Sequence, residues 1–124
     1  MKTSELSGAA LDWAVAKCEG VIDRCEVTCI ENRLLCWEDG ERMRYAPSDD
    51  WAQGGPIIER EEIELHKWAL DGWEARATNY SFLNTPNERP EFARQHGPTP
   101  LIAAMRCVVA SRLGDEVQVP EGLK

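Results

Sequence analysis

Apolar residues recur at helical spacing in two stretches of the chain, residues 7–18 and residues 99–114. In the first stretch they are Leu11, Ala14, Val15 and Cys18. In the second they are Leu101, Ile102, Met105, Val108, Val109 and Leu113. Thr99 suits the N-cap of the second helix, Pro100 its first position and Gly114 its end. We therefore predict an amphipathic helix near each end of the chain.

Three charged side chains on these two helices must each lie in water or find a partner. On the first helix we expect Asp12 and Lys17 to lie in water. On the second, Arg106 falls among apolar residues, where an always-charged guanidinium needs a partner. A salt bridge to a carboxylate such as Asp50 or Glu59 is one solution. The other is that Arg106 lines a pocket for an anion.

Between the helices, residues 21–45 are rich in β-branched and aromatic residues, notably at 21–22, 27–30 and 34–37. Asp39-Gly40 favours a two-residue type I′ hairpin turn. The turn predicts four cross-strand pairs: Cys36 with Met43 and Leu34 with Tyr45 on the buried side, and Trp37 with Arg42 and Leu35 with Arg44 on the other. Trp37 and Arg42 can then form a cation–π pair.

A second hairpin is predicted between residues 63–67 and 73–77. A three-residue loop at 70–72, with Gly72 in the left-handed conformation, keeps the apolar residues of both strands on one face. Those residues are Ile63, Leu65, Trp73, Ala75 and Ala77. His66 and Trp68 then lie on the opposite face, beside Glu74 and Arg76.

Residues 48–61 combine two carboxylates, an indole, a carboxamide and Gly-Gly-Pro. Pro56 suits the first position of a helix, and Gly54 and Gly55 let another group approach the backbone closely. We predict a loop that runs into a helix N-terminus, which offers free N–H groups to an anion. The alternative is a tight connection in which Trp51 fills the core.

Residues 79–98 show no periodicity and predict a long loop, and residues 119–124 predict a flexible tail. Tyr80, Phe82 and Phe92 either hold this loop against the body or offer stacking surfaces for a base. The fold class is therefore α+β: an antiparallel sheet of two hairpins, about four to five strands, packed with an N-terminal and a C-terminal helix.

At 124 residues the chain has the length of a single domain, residues 1–124. Its net charge of −8 opposes direct binding to nucleic acid. An acidic surface can also imitate DNA, but Lys and Arg interrupt the acidic runs here. No apolar run is long enough to cross a bilayer, so we expect a cytoplasmic protein.

The chain has five cysteines, an odd number that leaves one unpaired in any full disulfide scheme. A zinc site is the alternative, but there is no C-x-x-C and the two histidines lie far away. We expect small buried thiols, no metal and no cofactor.

Three segments together resemble the NinX family of small proteins of temperate phages and prophages. They are Leu11-Asp12-Trp13-Ala14-Val15-Ala16, the run from Pro47-Ser48-Asp49-Asp50-Trp51 through Gln53-Gly54-Gly55-Pro56 to Glu59, and Gly97-Pro98-Thr99-Pro100-Leu101-Ile102-Ala103-Ala104-Met105-Arg106. Asp49 departs from the small hydroxyl residue expected there, and the cysteine-rich segment 18–36 looks peculiar to this chain. The resemblance implies a phage accessory protein in the cytoplasm of a bacterial host. It brings no catalytic residues, because the family is generally without an assigned function.

Our first functional hypothesis is a non-enzymatic protein that binds and sequesters a small phosphorylated or nucleotide-like ligand as a counter-defence sponge. The candidate ligand-binding residues are Tyr45, Ser48, Asp50, Trp51, Gln53, Gly54, Gly55, Arg60, Thr99 and Arg106. An alternative is an effector that inhibits a host or phage enzyme through an acidic, tryptophan-bearing surface. Catalysis by Asp49-Asp50 with His66 or His96 is disfavoured, because neither histidine has a recognisable base partner. Open strand edges favour a homo-oligomer.

Overall fold

The computed structural model describes residues 1–38, 40–77 and 94–123. Its helices are α1 (Gly8–Cys18), α2 (Val21–Arg24), α3 (Trp51–Glu61) and α4 (Pro100–Leu113). Its strands are β1 (Glu26–Ile30), β2 (Arg33–Glu38), β3 (Glu41–Arg44), β4 (Glu64–Trp68), β5 (Gly72–Arg76) and β6 (Arg94–Gly97). Short 3-10 helices span Thr3–Glu5 and Glu121–Leu123. The α+β class is confirmed, and the strands form two antiparallel sheets of three.

The first sheet has the order β1-β2-β3, and its second hairpin has the predicted register. Cys36 pairs with Met43 and Trp37 with Arg42, whose guanidinium carbon lies 5.9 Å from the indole centroid. β1 and β2 form a further hairpin through Glu31 and Asn32, which both have positive φ as a type I′ turn requires. Residues 21–22 are not in a strand, since they begin the one-turn helix α2 after Gly20 (φ 73°).

The second sheet has the order β4-β5-β6. Its hairpin has a three-residue loop as predicted, but the loop is residues 69–71 because Trp68 pairs with Gly72. Ala69 rather than Gly72 takes the positive φ, at 54°. The register therefore differs by two positions from the prediction, which leaves every side chain on its predicted face. Leu65 pairs with Ala75 on the inner side and His66 with Glu74 on the outer side.

The predicted loop at 79–98 is wrong at its end, because Arg94–Gly97 form β6 and pair with β5. Tyr80, Phe82 and Phe92 lie outside the described residues. The predicted tail also begins in ordered structure, since the side chain of Val119 is buried.

The main core lies between α1, α4 and the inner side of the second sheet. Its fully buried side chains include Leu6, Leu11, Val15, Met105 and Val108. A smaller cluster of Ala16, Val21, Leu34 and Cys36 joins α1 to the first sheet. No helix of the described part is long and apolar enough to cross a membrane.

All five cysteines lie in described residues, and none forms a disulfide there. Only Cys36 and Cys107 are buried, whereas Cys29 is exposed and Cys18 and Cys25 are half-buried. The prediction of buried thiols therefore holds for two of the five.

Candidate functional site

Helix α3 begins at Trp51, five residues before the predicted start at Pro56. Asp50 is its N-cap: Oδ1 accepts a hydrogen bond of 3.0 Å from the N–H of Ala52. Pro56 lies inside the helix, where its missing N–H leaves the carbonyl of Ala52 without a helical partner. Both residues are exposed, so water can satisfy that carbonyl. The anion-binding terminus predicted at Gly55-Pro56 is therefore absent from this helix.

Gly54 and Gly55 have different roles within α3. A Cβ on Gly54 would overlap the carbonyl oxygen of Pro47 and lie 2.7 Å from Cδ2 of Leu101. A Cβ on Gly55 would meet only the indole of Trp51, at 3.9 Å. Gly54 therefore permits the close packing of α3 against the preceding loop and α4, and it needs no positive φ to do so.

The side chain of Gln53 caps the free edge of β3. Its Nε2 donates to the carbonyl of Arg44 at 2.9 Å, and its Oε1 accepts from the N–H of Ala46 at 2.8 Å. These are the two backbone groups that the next strand of a sheet would use. Nε2 also lies 3.2 Å from Oδ2 of Asp50. The carboxamide and the Asp50 carboxylate are thus both engaged within the protein.

Arg60 belongs to a chain of alternating charges that joins three helices. Its guanidinium binds both carboxylate oxygens of Glu19, at 2.8 and 2.5 Å, and Oε1 of Glu61, at 3.0 and 3.2 Å. Arg112 donates to the same oxygen of Glu61, whose side chain is buried. The hydrogen bonds to Glu19, followed by those to Glu61, raise the pKa of Arg60. Arg60 is therefore a structural ion-pair partner in this structure.

A cleft of about 490 Å³ separates the start of α3 from the first sheet. Tyr45, Gln53 and Arg60 are the predicted site residues that line it, together with Arg24 and Arg44. Burial raises the pKa of the Tyr45 hydroxyl. Two of the three arginines already pair with carboxylates, Arg60 as above and Arg44 with Asp49 at 3.2 Å. Little positive charge is left over for a ligand in this cleft.

Ser48 and Asp12 join α1 to the loop before α3. The N–H of Ser48 donates to Oδ1 of Asp12 at 2.9 Å. Both residues are buried, so the prediction that Asp12 lies in water is wrong. Burial, only partly offset by the hydrogen bonds from Ser48, raises the pKa of the Asp12 carboxyl from 3.8 to about 6. The physical reason is that Asp12 satisfies a loop N–H that α1 would otherwise cover.

Trp51 and Thr99 complete the predicted set. Trp51 is 54% exposed, so it does not fill the core. Thr99 caps α4 as predicted, with Oγ1 accepting from the N–H of Ile102 at 3.1 Å.

A larger cleft of about 900 Å³ lies at the end of the second sheet where the β4–β5 loop meets β6. It is lined by Lys2, Ser4, Asp71, Gly72, Arg94, Gln95, His96, Gly97, Pro98, Arg106 and Asp115. Arg106 is the one predicted site residue among them. The ten predicted residues therefore do not form a single site, because they are divided between this cleft, the smaller cleft, α3 with its preceding loop, and the N-cap of α4.

Arg106 pairs with neither Asp50 nor Glu59. Its Nε donates to the carbonyl of Leu6 and its Nη1 to the carbonyl of His96, both at 2.8 Å. Burial lowers its pKa, and no described carboxylate forms an ion pair with it. Two neutral acceptors thus hold the guanidinium in place without cancelling its charge.

A family model described as "Bacteriophage P22, NinX" matches residues 2–112, which is nearly the whole chain. The chain belongs to the NinX family. No curated protein sequence matches it.

Two residues beside Arg106 in this NinX protein were not among the predicted ligand-binding residues. Arg94 and His96 lie on β6, within the stretch predicted as a loop. His96 stacks on Trp68 with ring centroids 4.3 Å apart, and its Nε2 lies 3.0 Å from Oε2 of the buried Glu74. Hydrogen bonds from Arg76 and then His96 outweigh burial and lower the pKa of Glu74. Arg94, Gln95 and His96 are all polar, so the sequence has no apolar–polar alternation there that would predict a strand.

Proposed function

We propose that this NinX-family phage protein is a non-enzymatic binding protein for a small phosphorylated, nucleotide-like ligand. We place the ligand in the larger cleft. The observation that carries the proposal is Arg106, a half-buried guanidinium held by two backbone carbonyls on the cleft wall. A guanidinium that is already positioned and partly desolvated binds an anion more strongly than a mobile surface one.

The charges around the cleft support an anionic ligand. Lys2, Arg94 and Arg106 face Asp71 and Asp115. Among the described residues, none of the three cations forms an ion pair with a carboxylate. This local excess of positive charge stands out in a chain whose net charge is −8. Because salt screens exposed charges over about 8 Å, the local excess matters more to a ligand than the net charge does.

The aromatic pair beside the cleft supports a ligand with a planar ring. His96 lines the cleft and stacks on Trp68, which is 50% exposed. Gly72 lies between them in the sheet and has no side chain to cover the indole. A base placed on this surface would stack while its phosphate reaches Arg106 or Arg94.

Asp49 and Asp50, the carboxylates considered for catalysis, both form contacts within the protein. Asp49 pairs with Arg44, and both oxygens of Asp50 accept hydrogen bonds within the helix start. These contacts favour binding over turnover. A binding protein that sequesters a host signalling nucleotide acts by stoichiometry and needs no catalytic group, and this is the role we propose during infection.

The test is a thermal-shift panel of mono-, di- and cyclic nucleotides, followed by calorimetry on any that raises the melting temperature. Arg94→Gln should weaken binding about tenfold or more, because a charge-assisted hydrogen bond contributes about 1.5–3 kcal/mol. Arg24→Gln in the smaller cleft is the matched control and should leave affinity unchanged. A panel with no shift would refute the proposal. Equal losses in the two variants would place the ligand elsewhere.

A second candidate function is an effector that binds a host or phage enzyme. It is supported by Ile30 and Trp37, which are 48% and 43% exposed on the outer side of the first sheet. Arg33, Arg42 and Arg44 share that side by the strand register, so this tryptophan-bearing surface is rich in arginine, unlike the acidic surface expected from the sequence, and it suits an acidic partner. A pull-down from host lysate with Trp37→Ala, and Trp68→Ala as its control, tests it. A stoichiometric partner lost only with Trp37→Ala supports this candidate over the first.

A further inference from the structure

The four edges of the two sheets are protected to different degrees. At β3, the Gln53 carboxamide binds the backbone of Arg44 and Ala46. At β6, the Arg106 guanidinium binds the carbonyl of His96. In each case a helix side chain occupies hydrogen-bonding groups that another strand would need.

The edge strand β4 is protected by charge. It carries Glu64, His66 and Lys67 within five residues, and all three are exposed. Charged side chains on an edge strand oppose pairing with another strand, because their desolvation and mutual repulsion are costly. β4 is therefore a poor template for addition.

β1 lacks both kinds of protection. Its three central residues, Val27, Thr28 and Cys29, carry no charge, and no described segment pairs with its free side. The N–H of Tyr45 donates to the carbonyl of Leu34. Because backbone groups point to opposite sides at successive residues of a strand, Leu34 and Cys36 direct theirs to β3. The intervening residues of β2 bind Glu26, Thr28 and Ile30, which are their register partners. Val27 and Cys29 consequently direct their N–H and C=O groups outwards.

We propose that β1 pairs with β1 of a second copy of this chain, antiparallel and about a two-fold axis at Thr28. This register is the one that pairs all five residues of β1. Val27 then lies opposite the second copy's Cys29, and the outward backbone groups of both residues bind each other. The β1-β2-β3 sheets of the two copies then form one continuous sheet of six strands.

The self-complementary chemistry of β1 favours a second copy over an unrelated peptide. Val27 opposite Cys29 places apolar groups together on the inner side, next to the cluster that contains Leu34 and Cys36. Thr28 faces Thr28 on the outer side, a favourable cross-strand pair. Glu26 faces Ile30, so no like charges meet. The two-fold axis repeats the Val27–Cys29 and Glu26–Ile30 contacts, and the Thr28 pair lies on the axis itself.

The first test is the mass in solution as a function of concentration, by light scattering or analytical ultracentrifugation. The wild-type mass should rise from 14.0 kDa towards twice that value. Val27→Pro removes an outward N–H and leaves the β1–β2 ladder intact, so it should remain at 14.0 kDa with a native circular dichroism spectrum. Val27→Ala is the matched control and should still dimerise. A wild-type protein that stays monomeric, or a Val27→Pro protein that dimerises like the wild type, overturns the proposal.

The second test is a cross-link, which does not depend on the proline variant folding. Thr28 faces its own copy in a non-hydrogen-bonded pair, where Cα atoms lie about 4.5 Å apart, within the range of a disulfide. In a Cys29→Ser background, Thr28→Cys should form a covalent dimer on mild oxidation. Met43→Cys in the same background places a more exposed thiol on the protected strand and should not. Equal cross-linking in both variants, or none in Thr28→Cys, overturns the proposed register.

Discussion

The buried carboxyl of Asp12 makes the stability of this protein depend on pH in a direction opposite to that of most acidic groups. Its pKa rises from 3.8 to about 6 on folding, because burial disfavours the charged form. The folded protein therefore binds a proton at Asp12 more tightly than the unfolded chain does. The stability contributed by the protonated group is complete below about pH 4 and is lost as the pH rises through about 6.

The size of this loss follows from the two pKa values. A shift of about two units corresponds to about 3 kcal/mol, since each unit contributes 1.36 kcal/mol. The carboxyl is 3% exposed, so solvent screening reduces this value little. Asp12→Asn keeps an oxygen for the Ser48 N–H but cannot ionise. The stability of Asp12→Asn relative to the wild type should therefore increase by about 3 kcal/mol between about pH 4 and pH 8.

Urea unfolding at a series of pH values measures this difference directly. Other titrating groups, such as Glu74 with its lowered pKa, are present in both proteins and cancel in the comparison. A stability difference that stays constant with pH would refute the assignment of a buried, proton-binding Asp12. A difference of the opposite sign would mean that the hydrogen bond to Ser48 outweighs burial.

Two further substitutions test the packing of α3 by chemical denaturation. Gly54→Ala should destabilise the protein by about 1–3 kcal/mol, because the new methyl group overlaps the backbone of the preceding loop; Gly55→Ala, its control, should be neutral or stabilise by up to about 1 kcal/mol through helix propensity. Glu61→Gln should cost about 1.5–3 kcal/mol, because Arg112 loses its carboxylate partner while Arg60 keeps Glu19, whereas Glu59→Gln at an exposed position should change stability by less than about 0.5 kcal/mol. Equal effects within either pair would contradict the reasoning.

The parts of the fold that were predicted from sequence depend on neighbouring residues. The Asp39-Gly40 sequence, together with the alternation on either side of it, predicts the pairs from Leu35 with Arg44 to Trp37 with Arg42, and the strands have these pairs. Thr99 and Gly114 likewise bound α4 through local capping. Such local features can be predicted without knowing the structure of the rest of the molecule.

The parts that were missed depend on contacts between distant residues. Arg106 binds the carbonyl of Leu6, 100 positions away, and no pattern of side chains reveals which carbonyls remain open. β6 exists because it pairs with β5, from which the sequence separates it widely. The close approach predicted at Gly54 is confirmed, but the Pro47 carbonyl approaches it within a helix and not in the loop that the sequence suggested. The sequence therefore pointed to residues beside α3, whereas the cleft in which we propose a ligand lies at the end of the second sheet.

The carboxamide of Gln53 has a consequence for the dynamics of the chain. Through its hydrogen bonds to Arg44 and Ala46, the first turn of α3 occupies the backbone groups at the edge of β3 that a neighbouring strand would bind. Fraying of the first turn of α3 and opening of the β3 edge are then a single event. The amide hydrogen of Ala46 should exchange with solvent at the rate of that fraying, even though Ala46 itself is almost completely buried. A helix terminus, usually the least cooperative part of a fold, is in this protein joined to a sheet as one unfolding unit.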